Sequence, residues 1–223
     1  MKPELITDEA VLQRAVRHIA GRDRVMAAVI ERFGPCRMTP WTNEPFSALV
    51  NSVISQQLSV KAADTIAKRC LQVAGRGERF VPKKLLDASD ETLRGCGLSG
   101  AKVRYIKGIA DAAQRKQVNF AQLRQLPDEQ LIKALTAFSG IGVWTAEMLM
   151  IFAFGHPDIM SLGDLGLRRG VETIYELDHA PSDRVILGAA ESWRPYRSVA
   201  SWYLWRAWEE KQSRARASAK ESQ

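Results

Sequence analysis

The sequence predicts an all-α protein, and three observations carry that expectation. Apolar residues recur at helical spacing through most of the 223 residues. The breaks between those stretches are short clusters of Gly, Pro, Ser and Asp. No stretch alternates cleanly between apolar and polar residues, as a half-buried strand does.

Taken in order, helical periodicity runs over 12–18 and then 25–33, where Gly34 and Pro35 end it. It resumes over 46–54, with Thr42 as a candidate N-cap, and over 60–73, closed by Gly75-Arg-Gly77. Gly95-Cys-Gly97 precedes a helix over 103–115, and Pro127-Asp128 opens 129–137 with Asp128 as a candidate cap. The segment 143–154 is strongly apolar and stops at Gly155-His-Pro157. Helices over 165–175, 183–191 and 199–211 follow, the middle one opened by Pro181-Ser-Asp183 with Asp183 as its candidate cap. Residues 212–223 are polar and basic, and a frayed helix end or a disordered tail is expected there.

An apolar fraction of 46% with 26% charged residues is that of an ordinary globular protein. A net charge of +7 favours a polyanionic partner, although many basic proteins bind nothing acidic. No run approaches the roughly 18 apolar residues of a membrane span. The N-terminus shows no secretory core, so an intracellular location (cytoplasm, nucleoid or nucleus) is expected. Cys36, Cys70 and Cys96 are scattered, as are His18, His156 and His179, so neither a disulfide framework nor a metal knuckle is indicated.

Two features suggest chemistry. Phe138-Ser-Gly-Ile-Gly-Val-Trp-Thr-Ala146 places a Gly-x-Gly turn between two apolar helices. Gly140 and Gly142 permit positive φ or close backbone approach, and the helix beginning near Val143 aims unpaired N–H groups at the turn, which suits a phosphate. The plain alternative is a connecting αα-hairpin. Asp164, in Leu162-Gly-Asp-Leu-Gly-Leu-Arg168, is a candidate catalytic carboxylate and equally a routine N-cap; a helix N-terminus keeps such a group ionised in either role. A second Gly-rich break, Leu93-Arg-Gly-Cys-Gly-Leu-Ser-Gly-Ala-Lys102, is either a further backbone-binding loop with Lys102 at its end or a plain turn.

The frame Leu135-x-x-Phe-x-Gly-Ile-Gly-x-x-Thr-Ala146 resembles the helix-hairpin-helix motif of DNA-binding proteins. Its order with Asp164 is similar to the helix-hairpin-helix DNA glycosylase superfamily. Ser52-Val-Ile-Ser-Gln-Gln-Leu-Ser-Val-Lys-Ala62 and Trp193-Arg-Pro-Tyr-Arg-Ser-Val-Ala-Ser-Trp-Tyr-Leu-Trp205 resemble its alkylation-repair branch, the 3-methyladenine DNA glycosylase II family. The resemblance runs from about residue 45 to residue 208.

That resemblance implies two helical lobes with the active site in the cleft between them. One would span 41–156 and hold the hairpin at about 130–154; the other would combine 1–40 with 157–223. It implies Asp164 as the catalytic group and Gly140, Gly142, Val143, Thr145 and Lys102 as phosphate contacts. Gln57 and Leu58 would form the wedge that fills the gap left by an extruded nucleotide. Trp144, Met148, Tyr196 and Trp193 would line the base pocket, with Met148 standing where some relatives carry a tyrosine. Trp144 replaces the Schiff-base lysine of bifunctional members, so no strand cleavage is expected. Arg197 would be an ion-pair partner or a DNA contact.

The resemblance further implies a compact monomer acting on alkylated duplex DNA, without the extra β-domain of larger relatives and without an iron–sulfur cluster. A structural Na⁺ or K⁺ could sit on the carbonyls of Thr136, Phe138 and Ile141. The expected reaction is excision of alkylated purines such as 3-methyladenine and 7-methylguanine. Two rival readings stand beside it: a silent hairpin module that only binds damaged DNA, and a glycosylase for deaminated or oxidised bases.

Overall fold

The computed structural model describes residues 5–6, 9–38 and 44–221. The chain divides into two units: Met1–Thr39 with Gly155–Gln223, and Pro40–Phe154.

In chain order the elements are α1 (Glu9–Ala20), α2 (Arg24–Phe33), α3 (Pro45–Ser55), α4 (Val60–Ala74), β1 (Gly75–Arg76) and β2 (Arg79–Phe80). They continue with α5 (Pro82–Asp87), α6 (Asp90–Gly95), α7 (Gly100–Gln114), α8 (Phe120–Leu123), α9 (Asp128–Thr136) and α10 (Val143–Leu149). A π-helical turn (Met150–Phe154) precedes α11 (Leu165–Ile174), α12 (Asp183–Glu191) and α13 (Arg197–Glu221). Among the described residues, no helix is long and apolar enough to cross a membrane.

The all-α reading holds, with local departures that have simple causes. β1 and β2 pair antiparallel over two residues each, too short to show an alternating pattern. The short helices α5, α6 and α8 likewise complete fewer than two turns and leave no periodic signature. The helix predicted over 143–154 widens into the π-turn at its end. Two caps fall one residue earlier than read. Pro127 precedes α9, Ser182 caps α12, and Asp128 and Asp183 occupy the first helical positions, where their charge complements the helix dipole. Thr42 lies outside the described residues; α3 is capped by Glu44, whose carboxylate accepts from Phe46 N and Ser47 N.

α13 also departs from expectation, continuing as helix through the basic segment where a frayed end or disordered tail was read. Pairs one turn apart support it, Arg214 with Glu210 and Arg216 with Gln212.

In the second unit α3 is the hub. Phe46, Ala48, Leu49, Val50, Val53 and Ile54 are all buried, so it is apolar on every face. It packs against α4, α7, α8, α10 and β2. Its buried hydroxyls are satisfied: Ser47 Oγ accepts from Phe80 N and Ser52 Oγ donates to Leu49 O.

In the first unit the dominant packing is α11 against α13. Gly166 and Gly170 lie one turn apart on the α11 face that meets α13. A Cβ at Gly170 would stand 2.5 Å from Leu204 O, and one at Gly166 would stand 3.1 Å from Trp205 Cδ1. The helices cross this closely because both positions lack a side chain. Gly170→Ala is therefore expected to cost about 1–3 kcal/mol by overpacking. Thermal denaturation should show a fall in Tm of roughly 3–10 °C; an unchanged Tm would contradict the close crossing.

Candidate functional site

The hairpin of the second unit is built by α9, the turn after it, and α10. Gly140 adopts φ +88°, and a Cβ there would lie 2.4 Å from the Tyr105 ring, so both conformation and space require glycine. Gly142 differs, since a Cβ there would meet nothing within 4 Å. Its glycine leaves the outer surface of the turn open. Ile141 is buried and anchors the turn, its N–H donating to Phe138 O at 3.0 Å. Phe138 stacks on Phe120, which meets Phe46 of α3 edge-on.

No side chain caps α10 at its N-terminus. The positive end of that helix dipole and its first amides, including those of Val143 and Thr145, therefore suit an anion arriving from outside. Val143 is 56% exposed. The carbonyls of Thr136, in the last turn of α9, and of Phe138 and Ile141 in the turn are neutral oxygen donors. Phe138 O accepts one N–H and keeps a second lone pair. Such a set fits a hard monovalent cation better than a transition metal. Among the described residues, no three His, Cys, Asp or Glu side chains converge as metal ligands.

Trp144 and Met148 lie one turn apart on α10, Trp144 48% exposed and Met148 7% exposed. Gln57 and Leu58 form the loop between α3 and α4, both solvent-facing, with Gln57 at φ +57°. Lys102 does not face outward as a phosphate contact would. Its ammonium donates to Ile54 O and Gln56 O, both at 2.8 Å, and burial pulls its pKa below the ordinary lysine value. The reason is local: the carbonyls ending α3 need donors, and the first turn of α7 brings one.

In the first unit Asp164 is the N-cap of α11. Its Oδ1 accepts from Leu167 N at 2.6 Å and from the Trp205 indole N–H at 2.8 Å. The carboxylate is half-buried. Two donors on one oxygen fix its orientation at the start of α11. Tyr196 is half-buried and packs edge-on against His18, ring centroids 5.3 Å apart. Arg197 forms a forked ion pair with Asp158, its Nε 2.7 Å from Oδ1, and Arg194 reaches the same carboxylate.

Trp193, read as a pocket aromatic, is instead fully buried. Its indole N–H donates to Asp23 Oδ2 at 2.8 Å, beside the Tyr175 hydroxyl, while Asp23 Oδ1 caps α2 through Val25 N and Met26 N. A half-buried carboxylate needs those donors, and Trp193 supplies one. Burial and that carboxylate push the Tyr175 hydroxyl pKa upward.

Sequence reasoning assigned no role to Trp205, Gln56 or Tyr105. For Trp205 the signal was present in the paired glycines of α11, which announce a close helix neighbour without naming it. For the other two, spacing offered nothing, because Gln56 and Gly140 are 84 residues apart.

Residues 50–195 match the family model described as HhH-GPD superfamily base excision DNA repair protein. DNA-3-methyladenine glycosylase 1 of Schizosaccharomyces pombe is 33% identical over 208 residues, 92% of this chain and 90% of that protein. The crystal structure of a DNA-3-methyladenine glycosidase from Bacillus halodurans superposes with TM-score 0.79 at 36% identity, covering 87% of this chain and 88% of that one. The S. pombe 3-methyladenine DNA glycosylase in complex with abasic DNA gives TM-score 0.72 at 32% identity, covering 86% and 95%.

Trp193→Phe deletes the donor and the five-membered ring of a fully buried side chain, so loss of the hydrogen bond and a small void act together. The substitution is expected to cost about 1–3 kcal/mol, a fall of roughly 3–10 °C in Tm. Circular dichroism melts check this, and an unchanged Tm would mean that the Asp23 clamp does not stabilise the unit.

Proposed function

This chain belongs to the HhH-GPD superfamily of base excision DNA repair proteins, and from that premise we propose that it is a monofunctional DNA glycosylase excising alkylated purines. The carrying observation is Asp164, a carboxylate oriented by Leu167 N and Trp205 Nε1 in a chain whose hairpin amides suit phosphate.

The chemistry follows from the groups present. A base stacked in duplex DNA is out of reach, so the nucleotide is extruded and Gln57, with Leu58, fills the gap. An N-alkylated purine such as 3-methyladenine carries positive charge, and the exposed Trp144 indole attracts it through its π-face. Met148, one turn along α10, is an adaptable apolar contact beside that indole, and Tyr196 of the first unit presents a further aromatic ring. The C1′–N bond breaks with its electron pair passing to the base, which leaves neutral. The sugar develops oxocarbenium character, as in glycoside hydrolysis. Asp164 stabilises that charge and receives a proton from the water whose oxygen bonds to C1′.

Position 144 is an indole, which cannot form a Schiff base, so the product is an intact strand bearing an abasic site. The reaction calls on no bound cofactor. A monovalent cation on the carbonyls of Thr136, Phe138 and Ile141 would bridge the hairpin to phosphate. The monomer acts on duplex DNA, in whichever compartment holds it.

Incubation with methylated duplex DNA is expected to release methylpurines and leave alkali-labile sites, with no strand cleavage before alkali. Asp164→Asn should lower turnover at least a hundredfold while duplex binding survives. Tight binding without base release by the parent protein would leave a recognition module instead. Trp144→Ala should weaken capture of a cationic base roughly 3- to 30-fold, read as a rise in KM for 7-methylguanine. The same variant should change little for a neutral base such as hypoxanthine; equal losses for both would rule out the cation–π contact.

A further inference from the structure

The loop of Gln57 and Leu58 is braced from two sides. Its first residue, Gln56, ends α3 and extends its side-chain amide to Gly140 O, the apex of the hairpin, at 2.7 Å. Behind it, the Lys102 ammonium joins Ile54 O and Gln56 O, tying the backbone of the loop to α7. Three residues further along α7, Tyr105 lies flat against the space where a Gly140 side chain would be. Residues three apart share one helix face. One face of α7 therefore supports the loop through Lys102 and the hairpin through Tyr105, and Gln56 closes the triangle.

The geometry suits a load. Gln57 holds φ +57°, a region that non-glycine residues adopt only where the surroundings enforce it. Just beyond, Leu58 N donates to Ser55 O and Ser59 caps α4, so the loop is fixed at both ends while the Gln57 side chain stays exposed. A side chain driven into a base stack meets a resisting force, because unstacking is unfavourable. A loop attached only to its own helices would yield.

We infer that Gln56 and Lys102 are positioning residues that lock the wedge loop to the phosphate hairpin, so that grip on the backbone and insertion into the stack act as one body. This rests on the reading of Gln57 as the wedge. Neither residue touches the reacting atoms. Their role is to transmit the hold on phosphate to the inserted side chain, and so to set how fully the nucleotide is extruded.

Extrusion can be measured apart from chemistry by the fluorescence of a 2-aminopurine placed beside an abasic analogue in duplex DNA. Gln57→Ala, Gln56→Met, their double variant, Lys102→Met and Lys102→Arg are compared with the parent, together with salt-dependent binding to undamaged duplex. Gln56→Met and Lys102→Met are each expected to lower the extruded fraction roughly five- to tenfold. Their salt slopes should stay within one phosphate equivalent of the parent. Lys102→Arg should restore extrusion, and the double variant should be no worse than Gln57→Ala alone. Full extrusion by Gln56→Met, with loss in Gln57→Ala, would overturn the brace and leave the wedge standing. Full extrusion by Gln57→Ala would overturn the wedge and the brace with it. Losses that only track weaker binding to undamaged DNA would also overturn the brace, since they mark a general loss of grip.

Discussion

The first unit depends on how closely α11 and α13 approach. With any side chain at Gly170 the two helices would be forced apart, since Leu204 O occupies that space. Because they are not forced apart, Trp205 comes down beside Gly166 and its indole N–H reaches Asp164 Oδ1. A carboxylate at a helix N-terminus commonly accepts from backbone amides of the first turn. Here a second, rigid donor arrives from a neighbouring helix, which removes rotational freedom from the carboxylate proposed to act in the reaction. Pre-organisation of this kind contributes to catalysis because no reorientation is needed when charge develops.

In the second unit the corresponding constraint lies at Gly140. Its positive φ turns the chain sharply, and the Tyr105 ring fills the side where a Cβ would project. The start of α10 is thereby backed by a packed aromatic, so the proposed phosphate site is part of the helical framework and not a free loop. The line of Phe138, Phe120 and Phe46 carries that support down to the buried helix α3.

Ion pairing within the fold leaves the net +7 unchanged but decides which basic residues carry the excess. Several arginines of the first unit are engaged within it: Arg168 with Asp183, Arg194 and Arg197 with Asp158, Arg32 and Arg214 with Glu210. These pairs order the unit. Attraction to a polyanion then comes from the remaining basic residues together with helix termini. Even Lys102, placed at a Gly-rich loop, is turned onto backbone carbonyls.

The helical class, the order of most helices, the hairpin and the cap at Asp164 were legible in the sequence by itself. Each is a local consequence: apolar periodicity, glycine's freedom at a turn, and a carboxylate accepting a backbone N–H two or three residues ahead. Motif order carried the resemblance to the helix-hairpin-helix glycosylases, which the family match over residues 50–195 bears out. The tertiary structure alone decided which aromatic does what. Trp144, Trp193 and Trp205 are the same residue type in similarly apolar surroundings. Packing leaves the first exposed, buries the second against Asp23 and sets the third on Asp164. It likewise turned Lys102 inward and joined Gln56 to Gly140. Those outcomes depend on contacts between residues far apart in the chain, and local spacing carries no trace of such contacts.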